Sequence, residues 1–194
     1  MKRIGIISEN YVYESKAYRV LLEKRFDKAQ AQFMPLLKTI DTDYQNPRRV
    51  VRFLKAELKT ARTDILLICR DLDGIFTETD KITARQKWFD AIEKDVDNAI
   101  CLFFLAITEL ESIVLADMDS FSKWCGKNVK VSFSGNPMYK DNPKEFLKLK
   151  SDNKYNESKA AEVFAALDFE KVYQNHKGTY SFQELIIKLD ETLK

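Results

Sequence analysis

The sequence predicts an α/β fold with a mainly parallel central sheet flanked by helices, followed by a helical C-terminal extension. Short apolar runs alternate along the chain with segments that repeat apolar residues at helical spacing. The apolar runs are continuous, which is typical of parallel strands covered on both faces. The 194 residues, 45% of them hydrophobic, suffice for one full core. We expect an α/β domain over 1–135 and the helical extension over 136–194.

The first part of the chain contains two strand-like runs and two helical patterns. The run KRIGIIS (2–8) predicts the first strand, and AQFMPLL (31–37) predicts a second, which Pro35 restricts to an edge or a bulge. Between them, ESKAYRVLLEKRF has the apolar spacing of a helix. The segment that begins with Asn46 and Pro47 has a capping residue followed by proline in the first helical position. It therefore predicts a second helix.

The same alternation continues to residue 135 and then gives way to helices. DILLICR (64–70) and AICLFFLAI (99–107) predict two further strands, and the second of these is the most apolar run in the chain. A helical pattern follows each of them. VKVSFS (129–134) is a candidate fifth strand. In the extension, NESKAAEVFAALDF and SFQELIIKLDETL predict helices, the last with a capping box formed by Ser181 and Glu184.

The cysteines and the single histidine exclude several kinds of chemistry. Cys69, Cys101 and Cys125 are widely spaced in apolar surroundings, so we interpret them as reduced thiols rather than as disulfides or zinc ligands. His176 is the only histidine, and we expect it on an exposed loop. Catalytic Ser-His-Asp and Cys-His arrangements are therefore improbable. The first ten residues have too short an apolar run for a signal peptide, and no segment resembles a membrane span, so we expect a cytoplasmic protein without membrane contact.

Acidic residues follow three of the predicted strands. Glu9 follows the first strand, Asp71 and Asp73 follow the third in the stretch RDLDG, and Glu109 and Glu111 follow the most apolar run. Carboxylates two residues apart repel each other unless a cation lies between them. In a parallel sheet the strand ends meet at one edge, where ligands bind. These acids therefore predict a site for one or two Mg²⁺ (or Mn²⁺) ions and a phosphate. The alternative is that acids collect at exposed strand ends or in the first turn of a helix.

The order of these acidic motifs resembles the Toprim domain of topoisomerases, primases and overcoming-lysogenisation-defect nucleases. The likeness covers about Lys2 to Asp119 and is closest to small stand-alone bacterial Toprim proteins, including relatives of phage-defence nucleases. The segment ESIVLAD is similar to the ALLFAD-like helix of those proteins. The resemblance implies a Toprim/Rossmann-like fold, Mg²⁺-dependent phosphodiester hydrolysis of DNA or RNA, and an ATPase partner protein.

Position by position, the resemblance assigns roles to the same acids. Glu9 would be a general acid/base or a metal ligand, and Asp71 and Asp73 would bind Mg²⁺. Glu109 or Glu111 would complete the site. Two departures concern the region after Glu9: Toprim domains usually have glycine where this chain has Asn10 and Tyr11, and Glu14 matches the second acid of the motif only with a one-residue insertion.

Three other interpretations stay open at this stage. RDLDG also resembles the first motif of haloacid dehalogenase-type phosphatases, in which Asp71 would be the nucleophile and Asp73 the acid/base. Ser132 or Ser134 would then bind phosphate, but only Asp168 is available as a late acid. A response-regulator receiver is less compatible with the sequence, since it needs an acidic pair after the first strand. A Toprim fold without catalysis, acting as a binding or effector subunit, is the third.

The second predicted helix carries a basic stripe. Its basic residues are spaced by four, three, four and three positions, which places them on one side of the helix. Such a stripe can contact the phosphate backbone of DNA or RNA without reading bases, although a solvated outer face is the alternative. The net charge of +2 does not distinguish the two. The stripe consists of Arg48, Arg52, Lys55, Lys59 and Arg62.

Overall fold

A computed structural model of the protein describes most of the chain. The described residues are 1–36, 46–96, 99–126, 130–175 and 181–194. The predicted position of His176 lies outside them.

The centre of the fold is one parallel sheet of four strands. The strands are β1 (Lys2–Ile7), β2 (Ala31–Pro35), β3 (Ile65–Asp71) and β4 (Ile100–Ala106). Their order across the sheet is β2-β1-β3-β4, and all three neighbouring pairs are parallel. This confirms the predicted α/β fold. Pro35 is the last residue of the edge strand β2, where its missing N–H leaves the sheet hydrogen bonds intact.

Helices connect and cover the strands. They also fill the C-terminal part of the chain, as predicted. The second of them begins as expected, because the side chain of Asn46 accepts a hydrogen bond from the backbone N–H of Arg48 and Pro47 takes the first helical position. The α-helices are α1 (Glu14–Leu22), α2 (Pro47–Ala61), α3 (Thr79–Asp95), α4 (Met118–Cys125), α5 (Pro143–Lys150), α6 (Ala160–Ala166), α7 (Phe169–Gln174) and α8 (Phe182–Thr192). Shorter 3₁₀ helices span Leu110–Asp117, Pro137–Tyr139 and Glu157–Lys159.

The sheet separates two apolar layers. On one face Ile6 and Leu67 pack with α1 and with the helices that follow β4, including the extension. On the other face Ile7 and Leu66 pack with α2 and α3. Each fully buried side chain of this size contributes about 1.5–3 kcal/mol to stability. Because α6 packs against α1 within the first layer, the extension shares one core with the sheet.

Two predicted elements after β4 differ in the structure. None of residues 130–134 lies in a strand, so the described part of the predicted fifth strand is not formed. The reason is local: the hydroxyl of Ser122 accepts from the N–H of Val131 at 2.9 Å and donates to its carbonyl at 3.0 Å. The predicted helix before this segment is also divided. A 3₁₀ helix ends at Asp117, whose carboxylate accepts from the N–H of Ser120 and caps α4.

The predicted capping box of α8 is wrong. The hydroxyl of Ser181 accepts from the N–H of Leu105 at 2.9 Å and donates to its carbonyl at 3.2 Å. It therefore satisfies the open edge of β4 and makes no hydrogen bond within its own helix. Glu184 forms an ion pair with Lys188 at 2.8 Å instead of reaching back to Ser181.

The cysteines agree with the sequence-based interpretation. Cys69 and Cys101 are buried, Cys125 is partly buried, and none of the three forms a disulfide bond. Among the described helices, none is long and apolar enough to cross a membrane.

We expect Ser181→Ala to lower the free energy of unfolding by about 1–2 kcal/mol, because it leaves two backbone groups of Leu105 without their hydrogen-bond partner. Urea denaturation followed by circular dichroism would measure the change. Ser134→Ala is a matched control, since Ser134 is exposed and should change stability by less than about 0.5 kcal/mol. Equal stabilities for the two variants would contradict the role given to Ser181.

Candidate active site

A crevice opens where the order of the sheet reverses direction. The chain passes from β1 to β2 on one side and returns to place β3 on the other side of β1. Ligands of open α/β sheets bind beyond the carboxyl ends of the strands at such a point. Glu9 follows β1 there, and Asp71 ends β3. The turn after Asp71 is tied to the end of β4, because Asp73 and Gly74 exchange backbone hydrogen bonds of 3.0 Å with Thr108.

The alternation of side chains along the strands divides the predicted acids between the two faces of the sheet. The side chain of Asp71 lies on the same face of the sheet as that of Cys69, two residues earlier, which faces α1 and the extension. The side chain of Arg70 lies on the opposite face, against Trp88 of α3. Glu9 contacts Arg70 and therefore belongs to the α3 side. Asp71 and Glu9 thus lie at one edge of the sheet but on different faces.

Four carboxylates meet on the α1 face. Glu14 from the first turn of α1, Asp71 from the end of β3 and Glu111 from the 3₁₀ helix after β4 line one small space, which we call the acidic cavity. Glu157 of the extension also lines it. The volume of the cavity is about 30 Å³. That is enough for one water molecule or one small ion.

The carboxylates of the acidic cavity are difficult to ionise together. Burial raises the pKa of Asp71 well above its usual range, and the charges of Glu14 and Glu111 raise it further. Burial likewise raises the pKa of Glu14 to about 7, although the backbone N–H of Asn10 donates to its carboxylate. Burial also raises the pKa of Glu111, against the hydrogen bond at 2.7 Å from the Tyr155 hydroxyl. At neutral pH the cavity therefore either holds protons or favours a cation.

The C-terminal extension supplies the wall and the nearest amine of the acidic cavity. Lys144 of α5 forms an ion pair with Glu157 at 2.6 Å, and its backbone N–H points to the carboxylate of Glu109 at 3.4 Å. Burial alone would lower the pKa of Lys144, but the hydrogen bond to Glu157 and the charge of Glu111 raise it. Lys144 is therefore a permanent positive charge at the rim.

A second group lies on the α3 face, and we call it the arginine cluster: Glu9, Arg70, Asp73 and Arg85. The Nε of Arg70 contacts the carboxylate of Glu9 at 3.2 Å. Arg70 is only 3% exposed, and its guanidinium carbon lies 4.4 Å from the ring centroid of Trp88. Burial raises the pKa of Glu9, which Arg70 opposes. The ion pair and the aromatic ring together fix where the Glu9 carboxylate lies.

Arg85 holds the turn that carries the two aspartates. Its Nε donates to the backbone carbonyl of Asp71 at 3.1 Å, and its Nη2 donates to the carboxylate of Asp73 at 2.8 Å. Lys81 donates to the carbonyl of Asp73 at 2.7 Å. Asp73 has a φ of 56°, a left-handed conformation that these contacts stabilise. Its side chain is consequently directed to Arg85.

The donor chemistry of the acidic cavity fits a hard cation such as Mg²⁺, which prefers carboxylate oxygens. Glu14, Asp71 and Glu111 are the residues that could hold it. Across the described ranges, however, no three histidine, cysteine, aspartate or glutamate side chains form a metal centre as they stand. Side-chain adjustment would be needed to complete one.

The predicted set and the observed site overlap in part. Asp71 and Glu111 meet in the acidic cavity, Glu9 and Asp73 lie in the arginine cluster, and Glu109 contacts the backbone of Lys144. The predicted site did not include Glu14 or Lys144. Glu14 was noted only as a match, displaced by one residue, to the second acid of the Toprim motif, whereas nothing in the sequence indicates that Lys144 reaches this edge.

The basic stripe of α2 lies on the same side of the sheet as the arginine cluster. Four of its residues lie within α2, whereas Arg62 follows the end of the helix with a left-handed φ of 49°, so the predicted continuous helical stripe ends at Lys59. All five residues are exposed. Because α2 connects the end of β2 with the start of β3, Arg48 lies toward the carboxyl edge of the sheet and Arg62 toward the opposite edge. The stripe thus extends along the side of the molecule from the crevice.

We expect the free energy of unfolding to fall between about pH 4.5 and pH 7. The pKa of Glu14 is raised to about 7 from 4.5, so the folded chain retains a proton that the unfolded chain has lost. The stabilisation is full below about pH 4.5 and is lost as the pH rises through about 7. Glu14→Gln should therefore stabilise the protein by about 1–3 kcal/mol at pH 8 and have little effect at pH 4.5.

Urea denaturation at both pH values would measure this difference, with Glu191→Gln as a control for an exposed glutamate. A Glu14→Gln variant that loses the same stability at both pH values would contradict a proton-linked cost in the acidic cavity.

Comparison with known proteins gives no relative from which a function could be transferred. No protein-family model matches the chain, and neither the curated proteins nor the solved structures contain a significant match. The Toprim resemblance of the acidic motifs therefore stays a prediction. What the protein does has to be inferred from the residues that its fold brings together.

Proposed function

We propose that this protein is a Toprim-type nuclease, a cytoplasmic enzyme that hydrolyses phosphodiester bonds of nucleic acid with Mg²⁺ or Mn²⁺. The supporting observation is the acidic cavity: carboxylates from α1, from the end of β3 and from the segment after β4 converge on a space of about 30 Å³ at the switch point of the sheet. A purely structural role would not explain three mutually repelling carboxylates there.

The site residues divide the chemistry between them. Glu14, Asp71 and Glu111 would hold the cation, which when bound supplies positive charge to the phosphate oxygens. Burial raises the pKa of Glu9, and the ion pair with Arg70 fixes its position, which suits a group that exchanges a proton with the substrate. Arg85 fixes the turn that presents Asp71.

The basic stripe of α2 is the proposed contact with the substrate backbone. Its exposed guanidinium and ammonium groups would neutralise phosphates without reading the sequence. Phe53 is 43% exposed beside Arg52, whose guanidinium lies 5.4 Å from its ring centroid. An exposed aromatic ring next to the stripe would allow stacking of an unpaired base. Phage defence with an ATPase partner is the biological setting that the Toprim resemblance implies.

A dehalogenase-type phosphatase has less support from the geometry. Its phosphate-binding serine would have to approach Asp71, yet Ser132 lines a different cavity beside Asp117 and Lys171. Its late acid would be Asp168, whose carboxylate instead caps α7 by accepting from the N–H groups of Glu170 and Lys171.

A non-catalytic Toprim subunit is the second candidate, and one observation favours it. Glu9 and Asp73 are both engaged by arginines, at 3.2 Å and 2.8 Å. Two of the predicted metal ligands are thus neutralised by the protein itself. Such an arrangement would suit a protein that binds nucleic acid through α2 and no longer binds a metal ion.

We expect purified protein to cleave labelled single- or double-stranded DNA or transfer RNA with Mg²⁺ or Mn²⁺ and not with a chelator. Asp71→Asn should reduce the rate at least about 100-fold, because it removes a charged group of the cation site. Glu9→Gln should reduce it comparably, whereas a dehalogenase-type phosphatase would be unaffected by that change. Asp80→Asn, at an exposed aspartate of α3, is the control.

Cleavage that persists in Asp71→Asn would overturn the assignment. If no substrate is cut while the chain still binds nucleic acid, the non-catalytic candidate is correct.

The basic stripe can be tested separately by the salt dependence of binding. We expect Arg52→Gln/Lys59→Gln to make the slope of log affinity against log salt shallower by about 1.5, since two phosphate contacts are lost. Fluorescence anisotropy with a labelled oligonucleotide would measure it. Lys28→Gln/Lys123→Gln changes the net charge equally at exposed positions off the stripe and should leave the slope unchanged. Equal slopes for both double variants would exclude α2 as the contact surface.

A further inference from the structure

The most apolar strand of the sheet lies at its edge. β4, with the sequence ICLFFLA, has β3 on one side, and among the described residues no strand lies on the other. Edge strands usually carry charges or proline that prevent pairing with another chain, as Pro35 does at the end of β2. β4 has neither. Ile100, at its start, is 50% exposed.

The outer side of β4 offers backbone hydrogen-bonding groups. The N–H of Ile100 donates to the carbonyl of Asp64, and the carbonyl of Ala106 accepts from the N–H of Leu72. The backbone N–H and carbonyl groups of the even-numbered residues of β4 therefore point to β3. The backbone groups of the odd-numbered residues point away from β3, as the hydrogen bonds of Leu105 with the Ser181 hydroxyl show. For Cys101 and Phe103, no hydrogen bond on this outer side comes from any described residue. The backbone N–H and carbonyl of Cys101 and of Phe103 are therefore available to a further strand.

A groove of about 450 Å³ lies along this open edge. α3 forms one wall and α8 forms the other, with Cys101 and Phe103 at the base. Phe103 stacks on Phe89 of α3 at a centroid distance of 4.7 Å, which provides an apolar floor. The groove thus combines open volume with an apolar floor beside the edge strand.

The charge of the walls distinguishes between possible occupants. Asp90 and Glu93 of α3 and Glu184 of α8 face the groove, whereas Lys188 is the single base among the described residues that line it and is paired with Glu184. The four groups carry a net charge of −2. A second copy that paired through this same edge would bring the same negative charge against it, and a nucleic acid would bring its phosphates. A basic segment would be attracted.

We propose that the open edge of β4 is a docking site for an extended, basic segment of a partner protein, which adds a fifth strand to the sheet. Backbone hydrogen bonds to Cys101 and Phe103 would provide affinity, apolar side chains of the segment would pack on Phe89 and Phe103, and its lysine or arginine residues would pair with Asp90 and Glu93. The site lies on the opposite edge of the sheet from β2 and does not use the acidic cavity, so it is independent of the proposed nuclease activity.

The test is selection of a random twelve-residue peptide library on the full chain, followed by anisotropy measurements with the enriched peptides. We expect enrichment of β-branched and aromatic residues together with lysine or arginine. Asp90→Lys/Glu93→Lys should weaken binding at least about tenfold, because two ion pairs with a partly buried segment are lost. Asp141→Lys/Glu170→Lys makes the same charge change at exposed positions outside the groove and should leave affinity unchanged.

Strand addition itself is tested on the peptide, which leaves the protein unaltered. N-methylation of every second residue in one register should abolish the hydrogen bonds to β4 and weaken binding at least about tenfold, whereas methylation in the other register should be tolerated. Three results would overturn the proposal: no enrichment over the bare support, equal effects of the two methylation registers, or enriched peptides without basic residues. Sedimentation that shows a dimer dissociated by the peptide would identify a second copy as the occupant and would also overturn it.

Discussion

The chemistry of the crevice depends on the alternation of two neighbouring side chains, Arg70 and Asp71, at the end of β3. The side chains of successive strand residues point to opposite faces. The positive charge of Arg70 therefore lies on one face of the sheet and the negative charge of Asp71 on the other. The arginine draws Glu9 to the α3 side. The aspartate is left with Glu14 and Glu111 on the other side, where burial and their charges raise its pKa. A shift of one residue at this point would exchange the two environments.

The unequal electrostatics of the two faces follow from that division. In the arginine cluster each acid has a cationic partner within hydrogen-bonding distance, and the indole ring of Trp88 stabilises the buried guanidinium. In the acidic cavity burial and mutual repulsion raise the pKa of Asp71, Glu14 and Glu111. The fold tolerates this cost because protons can be retained there. Destabilised ionisable groups of this kind cluster at functional sites.

Sequence reasoning identified the sheet, because the strands are continuous apolar runs and α2 has an explicit start signal in Asn46 and Pro47. It also placed acids correctly at the ends of β1, β3 and β4. It did not assign them to faces, since parity depends on the residue at which pairing begins, and that residue is fixed by tertiary packing. Two serines show the same limit. Ser181 has the sequence context of a helix cap, but its hydroxyl binds the backbone of Leu105, which is distant in the sequence. The hydroxyl of Ser122 binds the backbone of Val131, in a segment that was predicted to be a strand.

The extension is the part of the chain whose role the sequence could least indicate, and it bears most directly on the acidic cavity. Tyr155 donates to Glu111 from a position that is 1% exposed, and Lys144 keeps its charge at the rim through Glu157. A phenol that donates to Glu111 favours its ionised form, and so does a fixed ammonium nearby. Both groups therefore lower the cost of charging the cavity, although Glu157, the partner of Lys144, adds a fourth carboxylate to its lining. The sheet edge provides Glu14, Asp71 and Glu111, and the extension determines how readily they can be ionised.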